Sequence, residues 1–337
     1  MAAMVAALVS AESCADLGRD AADAGLDQAS SSGPDAGPDA GQAVSDSGGA
    51  ADGADGANAT DATGAGDVGD SSGVPLSIRV VAANLSSGNK QSWDPGHGQR
   101  ILQGLGPDVV LLQELRVGDN SVAAVESFVA TTLGPDFHIY REPDLGLPNA
   151  IASRWPIVEA GTWDDPEATN RELVWARIDI PGDRDLWAVS VHLLTSNATT
   201  RAKEAQAIVD HVHAQIPDPD FLVVGGDLNT KHGGEMALGK LAEVVATAKV
   251  AADGDGNPNT NADRSHPYDH ILPDDDLDAA QVGVTIGGQS FSGGLVFDSR
   301  VYTPLEDVSP VQVGDSAALG VQHMAVVRDF VVLVAAP

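Results

Sequence analysis

The sequence has one cysteine, Cys14, so no disulfide bond can form within the chain. Basic residues are also scarce, because 18 lysines and arginines face 49 aspartates and glutamates, giving a net charge of −31. Tight non-specific binding of nucleic acid depends on Lys and Arg displacing counterions, so an acidic surface argues against it. The same charge favours recruitment of divalent cations, and a few local arginines could still steer a phosphodiester.

The first 73 residues lack what a folded domain needs. From Cys14 to Gly73 they are almost wholly Ala, Gly, Asp and Ser, without one aromatic residue. Such a segment cannot bury enough surface to offset its backbone entropy. Residues 1–73 hold thirteen acidic side chains and one basic one, a charge of −12, which leaves −19 for the remaining 264 residues. We predict a disordered linker over residues 15–73 and one folded, monomeric domain over residues 74–337.

The start of the chain lacks the length of a membrane span. Met1 to Val9 is apolar but far too short, and it has no basic residue. Leu8 to Cys14 loosely resembles a bacterial lipoprotein signal, in which the cysteine is lipidated after cleavage, although Glu12 fits it poorly. Residues 1–14 are therefore a candidate signal or lipoprotein segment that would anchor a secreted or cell-surface protein. The alternative is a free Cys14 in a disordered tail.

A short motif at the end of a predicted buried strand contains the first candidate catalytic residues. Phe221 to Val224 is apolar and β-branched, and Gly225-Gly226-Asp227-Leu228-Asn229 follows it directly. The glycines allow close approach of backbone or ligand. Asp227 and Asn229 are two residues apart and face one side, where a carboxylate could take a proton and an amide could bind a phosphate oxygen. The alternative is an Asx turn that caps the next helix.

Other predicted strands also end or begin in polar residues. The pattern predicts strands at Leu76–Asn84, Asp108–Glu114, Phe137–Tyr140, Leu173–Ile180, Asp185–Leu194, Tyr268–Leu272 and Met324–Val334, with Asn149–Ser153 and Ile157–Trp163 as a hairpin. It predicts helices at Gln99–Leu105, Ser121–Leu133, Thr199–His213 and Gly234–Glu243. Asn84, Glu114 and His192 then stand at strand ends, and Asp269 and His323 at strand starts.

This series of motifs resembles the endonuclease/exonuclease/phosphatase superfamily, which has the deoxyribonuclease-I-like fold. The matching pieces are Ala83-Asn84-Leu85, Leu112-Gln113-Glu114, Asn149 to Arg154, Val191-His192-Leu193, Gly226-Asp227-Leu228-Asn229, Tyr268-Asp269-His270-Ile271 and His323 to Val327. The resemblance implies an α+β fold, a four-layer α/β/β/α sandwich with two mixed β-sheets flanked by helices. It also implies hydrolysis of a phosphodiester.

The resemblance further implies roles for these residues. Glu114, assisted by Asn84, would bind Mg²⁺, with Mn²⁺ or Ca²⁺ as alternatives, because oxygen ligands suit hard cations. Asp227 and Asn229 would orient the attacking water and hold the phosphate. His192 would donate to phosphoryl oxygens, and Asp269 would orient that histidine.

The sequence departs from the family at its last motif. The family usually has Ser-Asp-His, whereas this chain has Val321-Gln322-His323. A neutral Gln322 cannot stabilise the imidazolium of a proton-transferring His323 by charge, so we expect a lowered pKa for His323 unless Asp315 takes over that role.

Four further residues are candidates for substrate binding. Arg116 follows Gln113-Glu114 as in the deoxyribonucleases, and Asn149, Arg154 and Arg171 lie at positions where the family often contacts phosphate. The alternative for each arginine is a solvated surface position. The acidic loop from Asp253 to Asp263 has the alternating oxygens of a calcium loop, but Pro258 and Arg264 replace residues that an EF-hand needs, which favours a plain polar loop at the rim of the site.

The leading hypothesis is a secreted or surface-anchored Mg²⁺-dependent phosphodiesterase, most simply a nuclease. A phosphatase or a phospholipase-type phosphodiesterase of the same superfamily is the first alternative. A binding module that has lost turnover is the second.

Overall fold

The computed structural model describes residues 73–86 and 96–335. The predicted signal segment 1–14 and residues 15–72 of the predicted linker lie outside the described residues. Within the part that is described, no helix is both long and apolar enough to cross a bilayer.

Two mixed β-sheets form the centre of the fold. The larger sheet has the strand order β10-β14-β1-β2-β4-β3, and β13 also pairs with β14; its strands are β1 Val74–Asn84, β2 Val109–Gln113, β3 His138–Arg141, β4 Ala150–Ser153, β10 Gln281–Val282, β13 Leu295–Phe297 and β14 Ala325–Val334. The smaller sheet has the order β5-β6-β7-β8-β9; its strands are β5 Ile157–Trp163, β6 Leu173–Ile178, β7 Leu186–His192, β8 Phe221–Asp227 and β9 Asp269–Pro273. A small hairpin joins β11 Val284–Ile286 to β12 Gln289–Phe291.

Helices cover the outer faces of both sheets. They are α1 His97–Leu105 and α2 Val122–Thr132 on the larger sheet, and α3 Ala198–Gln215 and α4 Met236–Leu241 on the smaller one. The short helix α5 Asp275–Ala279 instead packs Leu277 into the core between the sheets. Ser121 caps α2 as predicted, since its hydroxyl accepts a hydrogen bond from the Ala124 amide at 3.2 Å. Gly106 ends α1 in the left-handed conformation, with φ 57°.

The hydrophobic residues separate into three layers of core. One cluster lies between the larger sheet and helices α1 and α2, a second fills the space between the two sheets, and a third packs α3 and α4 on the smaller sheet. Three apolar layers between four layers of secondary structure confirm the predicted α/β/β/α sandwich.

One predicted strand pairing is wrong. Ala150–Ser153 and Ile157–Trp163 do not form a hairpin, because β4 pairs with β2 and β3 whereas β5 pairs with β6 in the other sheet. The chain crosses between the sheets at Trp155-Pro156. Both arrangements bury one face of each strand, so the hydrophobic pattern alone cannot tell a hairpin from a crossing.

Candidate active site

Strand direction brings the predicted polar residues to one edge of the sandwich. Strands β1 and β2 are parallel, so Asn84 lies opposite Gln113 and next to Glu114. Strands β7 and β8 are also parallel, and His192 lies opposite Asp227. Strand β9 runs antiparallel to β8 and begins at this edge, which sets Asp269 beside Asp227. His323 shortly precedes β14, which runs antiparallel to β1.

Asp227 is the centre of this cluster. Its Oδ2 lies 3.0 Å from Asn84 Nδ2, 3.3 Å from His192 Nε2 and 3.5 Å from His323 Nε2. Its Oδ1 accepts a hydrogen bond from the Asn229 amide at 3.0 Å. The side chain is 1% exposed, so these partners replace water around a carboxylate that would otherwise be costly to bury.

Asp269 orients His323 rather than His192. His323 Nδ1 lies 2.9 Å from Asp269 Oδ2, which leaves Nε2 facing Asp227. The expectation that Asp269 fixes the tautomer of His192 is therefore wrong. His192 is held through its backbone carbonyl and through Asp227, and its buried Nδ1 has no hydrogen-bond partner in the part of the chain that the structure describes.

His323 has an anionic partner despite Gln322. Burial by itself lowers the pKa of His323, but Asp269, Asp227 and Glu114 outweigh it and raise the pKa to about 10. The expected lowered pKa is wrong because Asp269 supplies the charge from another strand. Asp315 does not take over that role, since Arg100 Nη2 binds it at 2.6 Å and His97 Nδ1 lies 3.2 Å from it.

The two histidines differ in charge. Burial lowers the pKa of His192 well below its usual range, and the positive charges of Arg171 and His323 lower it further. Burial raises the pKa of Asp227; Asp269 adds to that rise and His323 opposes it. The site thus combines a protonated imidazole, a neutral imidazole and a carboxylate whose affinity for protons is increased.

The predicted metal ligands lie beside this centre, but Asn84 does not present its oxygen to the carboxylates. Asn84 Oδ1 accepts the Ser86 amide at 2.7 Å, so Nδ2 points to Glu114 Oε1 at 3.4 Å and to Asp227. The Ser86 amide fixes this orientation, because a donor must face an acceptor. Asn84 here positions two carboxylates.

The donor set fits a hard divalent cation. Glu114, Asp227 and Asp269 supply carboxylate oxygens, and Asp269 Oδ1 is buried without a hydrogen-bond partner among the residues described. Ligand atoms of Asp227, Asp269 and His323 lie within 4.8 Å of one another, a different set from the predicted one. Carboxylates are the better ligands for a hard divalent cation here, because the His323 imidazole is already paired with Asp269 and nitrogen suits such a cation less well.

The four predicted substrate contacts separate in the structure. Arg116 is largely exposed near Glu114 and pairs with Asp144 at 3.4 Å. Asn149 is fully buried, and its Nδ2 donates to the Glu172 carbonyl. Arg171 is also buried and donates to the His192 carbonyl at 2.6 Å, so it holds the strand end that carries His192.

Arg154 lies at the other end of the larger sheet. It follows β4 and binds Asp108, the residue before β2, at 2.7 Å. Glu114 follows β2 at the opposite end, about 20 Å away at the usual rise per strand residue. Arg154 is therefore too far from Glu114 to contact a phosphate bound there, and the prediction of such a contact is wrong.

Other residues hold the two sheets together beneath the site. Gln113 Nε2 donates to Ser190 Oγ at 2.9 Å, and that hydroxyl donates to the Leu112 carbonyl at 3.0 Å. A Cβ on Gly226, which has φ 128°, would lie 2.3 Å from the Val191 carbonyl oxygen. The paired glycines indicated such a close approach, whereas nothing in the sequence indicated the bond between Gln113 and Ser190.

Two site residues have left-handed backbone conformations that are uncommon outside glycine. Glu114 has φ 55° and Asn229 has φ 50°. Such conformations persist where surrounding contacts hold them, and they are typical of functional sites. At both positions the chain turns away from the strand that precedes it. Asn229 Nδ2 donates to the Leu193 carbonyl at 2.9 Å, so this side chain is bound to the end of β7 and not directed at a phosphate.

Two mixed sheets between helices, with carboxylates and histidines gathered at one edge, define an α/β-sandwich hydrolase scaffold. Residues 82–294 match the sequence profile of the Endonuclease/Exonuclease/phosphatase family, and the chain belongs to that family. Its members are generally metal-dependent hydrolases of phosphodiester bonds. No curated protein matches the chain in sequence.

Solved structures show the same fold at low sequence identity. Truncated TDP2 from Caenorhabditis elegans is 15% identical, with a TM-score of 0.54 over 76% of this chain and 98% of that one. An endonuclease/exonuclease/phosphatase from Beutenbergia cavernae is 17% identical, with a TM-score of 0.52 over 77% and 72%. A family protein from Bacteroides vulgatus is 13% identical, with a TM-score of 0.52 over 77% and 99%.

Proposed function

We propose that the protein is a Mg²⁺-dependent phosphodiesterase whose substrate is nucleic acid. The observation that carries this proposal is the convergence of Asn84, His192 and His323 on one buried oxygen of Asp227, with Asp269 behind His323. A carboxylate with increased proton affinity next to a protonated imidazole is an acid and base pair. A binding module would have no need for it.

Each residue has a task in this proposal. Asp227, held by the Asn84 and Asn229 donors, accepts a proton from the attacking water. His323, kept protonated by Asp269, donates to the departing or phosphoryl oxygen. His192 is neutral, so its single N–H belongs on Nε2, which faces Asp227 Oδ2 at 3.3 Å, and the unpartnered Nδ1 is an acceptor. His192 therefore holds the base in place rather than donating to a phosphoryl oxygen.

The metal would be held by Glu114 and would withdraw charge from the phosphoryl group. Mg²⁺ is the proposed ion, with Mn²⁺ and Ca²⁺ as alternatives. Glu114→Gln should abolish metal-dependent hydrolysis of plasmid DNA while circular dichroism shows an intact fold. Activity within a few-fold of wild type at saturating Mg²⁺ would contradict the metal assignment.

The distribution of charge favours a second candidate, a small or lipid phosphoester. Of the predicted cationic contacts, Arg171 is buried against backbone, Arg154 lies at the far end, and Arg116 is already paired with Asp144. Of these three cations, Arg116 alone is both exposed and near the site, which is few for following a long polyanion. Incubation with plasmid DNA, RNA, sphingomyelin and a phosphomonoester, each with and without Mg²⁺, separates the candidates. No hydrolysis of any of them would favour the binding module.

The proposal includes a secreted or cell-surface, monomeric protein tethered through a lipidated Cys14 and residues 15–73. Mass spectrometry of the membrane fraction tests the lipid, with Cys14→Ser as control. Deletion of residues 1–73 should leave the catalytic rate and the melting temperature unchanged. A marked loss of stability would show that the segment belongs to the domain.

A further inference from the structure

The acidic loop from Asp253 to Asp263, which looks like a calcium loop in sequence, surrounds a guanidinium group. Arg264 Nη2 binds Asp253 Oδ2 at 2.6 Å, and Nε donates to the Asn259 carbonyl at 2.6 Å. Nη1 reaches Asp298 Oδ2 at 2.5 Å, outside the loop. The side chains of Arg264, Asp253 and Asp298 are 11%, 4% and 2% exposed, so this contact is largely shielded from solvent.

The loop also binds back to Arg264. The side-chain amide of Asn259 donates to the Arg264 carbonyl at 3.0 Å, and the Arg264 amide donates to the Asn261 carbonyl at 2.8 Å. Arg264 itself has φ 60°, a conformation that its surroundings must hold. One cationic side chain therefore binds three oxygens of the segment, Asp253 Oδ2 and the carbonyls of Asn257 and Asn259, as a bound cation would in a loop of this composition.

The far side of the loop holds the acid and histidine pair of the site. Thr260 is fully buried, and its hydroxyl accepts the Asp269 amide at 2.8 Å. The Thr260 carbonyl accepts the Met324 amide at 2.7 Å, next to His323. Asn261 and His323 form an isolated antiparallel bridge. Asp269 is thus attached to the loop through the Thr260 hydroxyl, and the segment His323-Met324 through the backbone of Thr260 and Asn261.

We infer that Arg264 is a positioning residue that replaces a structural cation in this loop and, through Thr260 and Asn261, sets the distance between Asp269 and His323. The inference rests on the proposed function, in which this pair transfers a proton. Arg264 touches neither the pair nor the substrate, and it acts through the loop backbone. Removal of its guanidinium leaves Asp253 and Asp298 facing one another's charge without their shared partner.

Arg264→Ala should lower kcat by about 100-fold, the scale that a 1 Å misplacement of a catalytic group produces. KM should stay within about two-fold, because no substrate contact is removed. Added guanidinium, far below denaturing concentrations, should restore part of kcat, and urea at the same concentration should not. Arg264→Lys should retain more kcat than the alanine variant, because it keeps the charge.

Arg300→Ala is the matched control. Arg300 binds the same Asp298, with Nη2 at 2.6 Å from Oδ2, and is 37% exposed. Among the residues that the structure describes it makes no hydrogen bond to the loop, and its one other contact is from Nη2 to the Met324 sulfur at 3.9 Å. Its removal should leave kcat within about two-fold. A loss of kcat equal to that of Arg264→Ala would show that neutralisation of Asp298, and not the loop, is what matters.

Hydrogen exchange gives a readout that does not depend on activity. In Arg264→Lys and Arg264→Ala, the Asp269 and Met324 amides should exchange faster, whereas amides in the centre of β7 and β8 should not. Unchanged exchange at both amides, or full kcat in the alanine variant, overturns the inference. If Arg264→Ala does not fold, the lysine variant decides by the same two measurements.

Asp227→Asn in the same assay separates the inference from the proposed function. If Asp227→Asn is inactive and Arg264→Ala is fully active, the inference alone is wrong. If Asp227→Asn is fully active, the proposed function is wrong, and the exchange of the Asp269 and Met324 amides still decides whether Arg264 holds the pair.

Discussion

Two groups of buried carboxylates lie at the same edge of the sandwich and have different surroundings. Asp227 and Asp269 face imidazoles, whereas Glu142 and Glu204 accept backbone amides. Glu142 binds the Asn149 and Glu172 amides at 2.5 and 2.7 Å, and Glu204 binds the Leu194 amide at 3.0 Å. We call the first pair the reactive carboxylates and the second pair the supporting carboxylates.

The comparison shows that burial alone does not mark a catalytic acid. Burial raises the pKa of Glu142 to about 8 and that of Glu204 to about 9, larger departures from an ordinary glutamate than many active sites show. Both side chains nevertheless hold loop and strand ends in place. What distinguishes the reactive carboxylates is an imidazole partner, with which a proton can be exchanged near neutral pH, whereas the ionisable neighbour of Glu204 is another carboxyl group, that of Asp165.

The largest effect is expected from Asp269→Asn. The asparagine keeps the size of the side chain but removes the charge that holds His323 protonated, so the pKa of His323 should fall. We expect a loss of 10²- to 10⁴-fold in kcat, the range of general acid–base catalysis. NMR titration of His323 and steady-state kinetics measure the two changes. An unchanged pKa would show that Asp269 is another supporting carboxylate.

A Gly226→Ala change should damage both stability and activity. The added Cβ would clash with the Val191 carbonyl and with Gln113 Nε2 at 2.5 Å, in a backbone conformation that favours glycine. We expect a loss of about 1–3 kcal/mol in the free energy of unfolding, the usual range for overpacking. Denaturant unfolding measures it. Gly233→Ala, where a Cβ meets nothing within 4 Å, is the control and should be nearly neutral.

Glu204→Gln should change the pH dependence of stability while activity stays within a few-fold. A carboxyl whose pKa rises on folding binds more protons in the folded state, so stability falls as pH rises from the unfolded pKa, about 4.5, through about 9. The glutamine variant should lack this decline. Melting temperatures at pH 5 and pH 8 for both proteins test it, and parallel curves would contradict the assignment of the raised pKa to Glu204.

The smallest effect is expected from Arg154→Ala. Its pair with Asp108 is at the surface, with Arg154 53% exposed, and such pairs contribute about 0–1 kcal/mol. Neither KM nor kcat should change by more than about two-fold. Arg116→Ala should raise KM several-fold if Arg116 contacts the substrate. Equal effects of the two changes would remove Arg116 from the proposed site.

The sequence by itself determined the scaffold and most of the candidate site. Short β-branched runs ending in Asn84, Glu114, His192 and Asp227 predict buried strands with polar ends, because period and boundary residues are local properties. Parallel pairing of such strands then brings their ends to one edge, which is why the candidates meet around Asp227. The paired glycines before Asp227 also indicated the close approach that the structure shows at Gly226.

Partner choice was decided by the tertiary structure alone. From the sequence, Asp269 could orient either histidine. In the same way, Arg264 only departs from the calcium-loop pattern in sequence, whereas the fold places Asp253 and Asp298 within ion-pair distance of its guanidinium. The crossing between the sheets at Trp155 and the placement of Arg154 at the far end depend in the same way on which strands pair. Sequence encodes which face of each element is buried, but a hydrogen bond between side chains 54 residues apart, such as that from His323 to Asp269, depends on packing that no local pattern records.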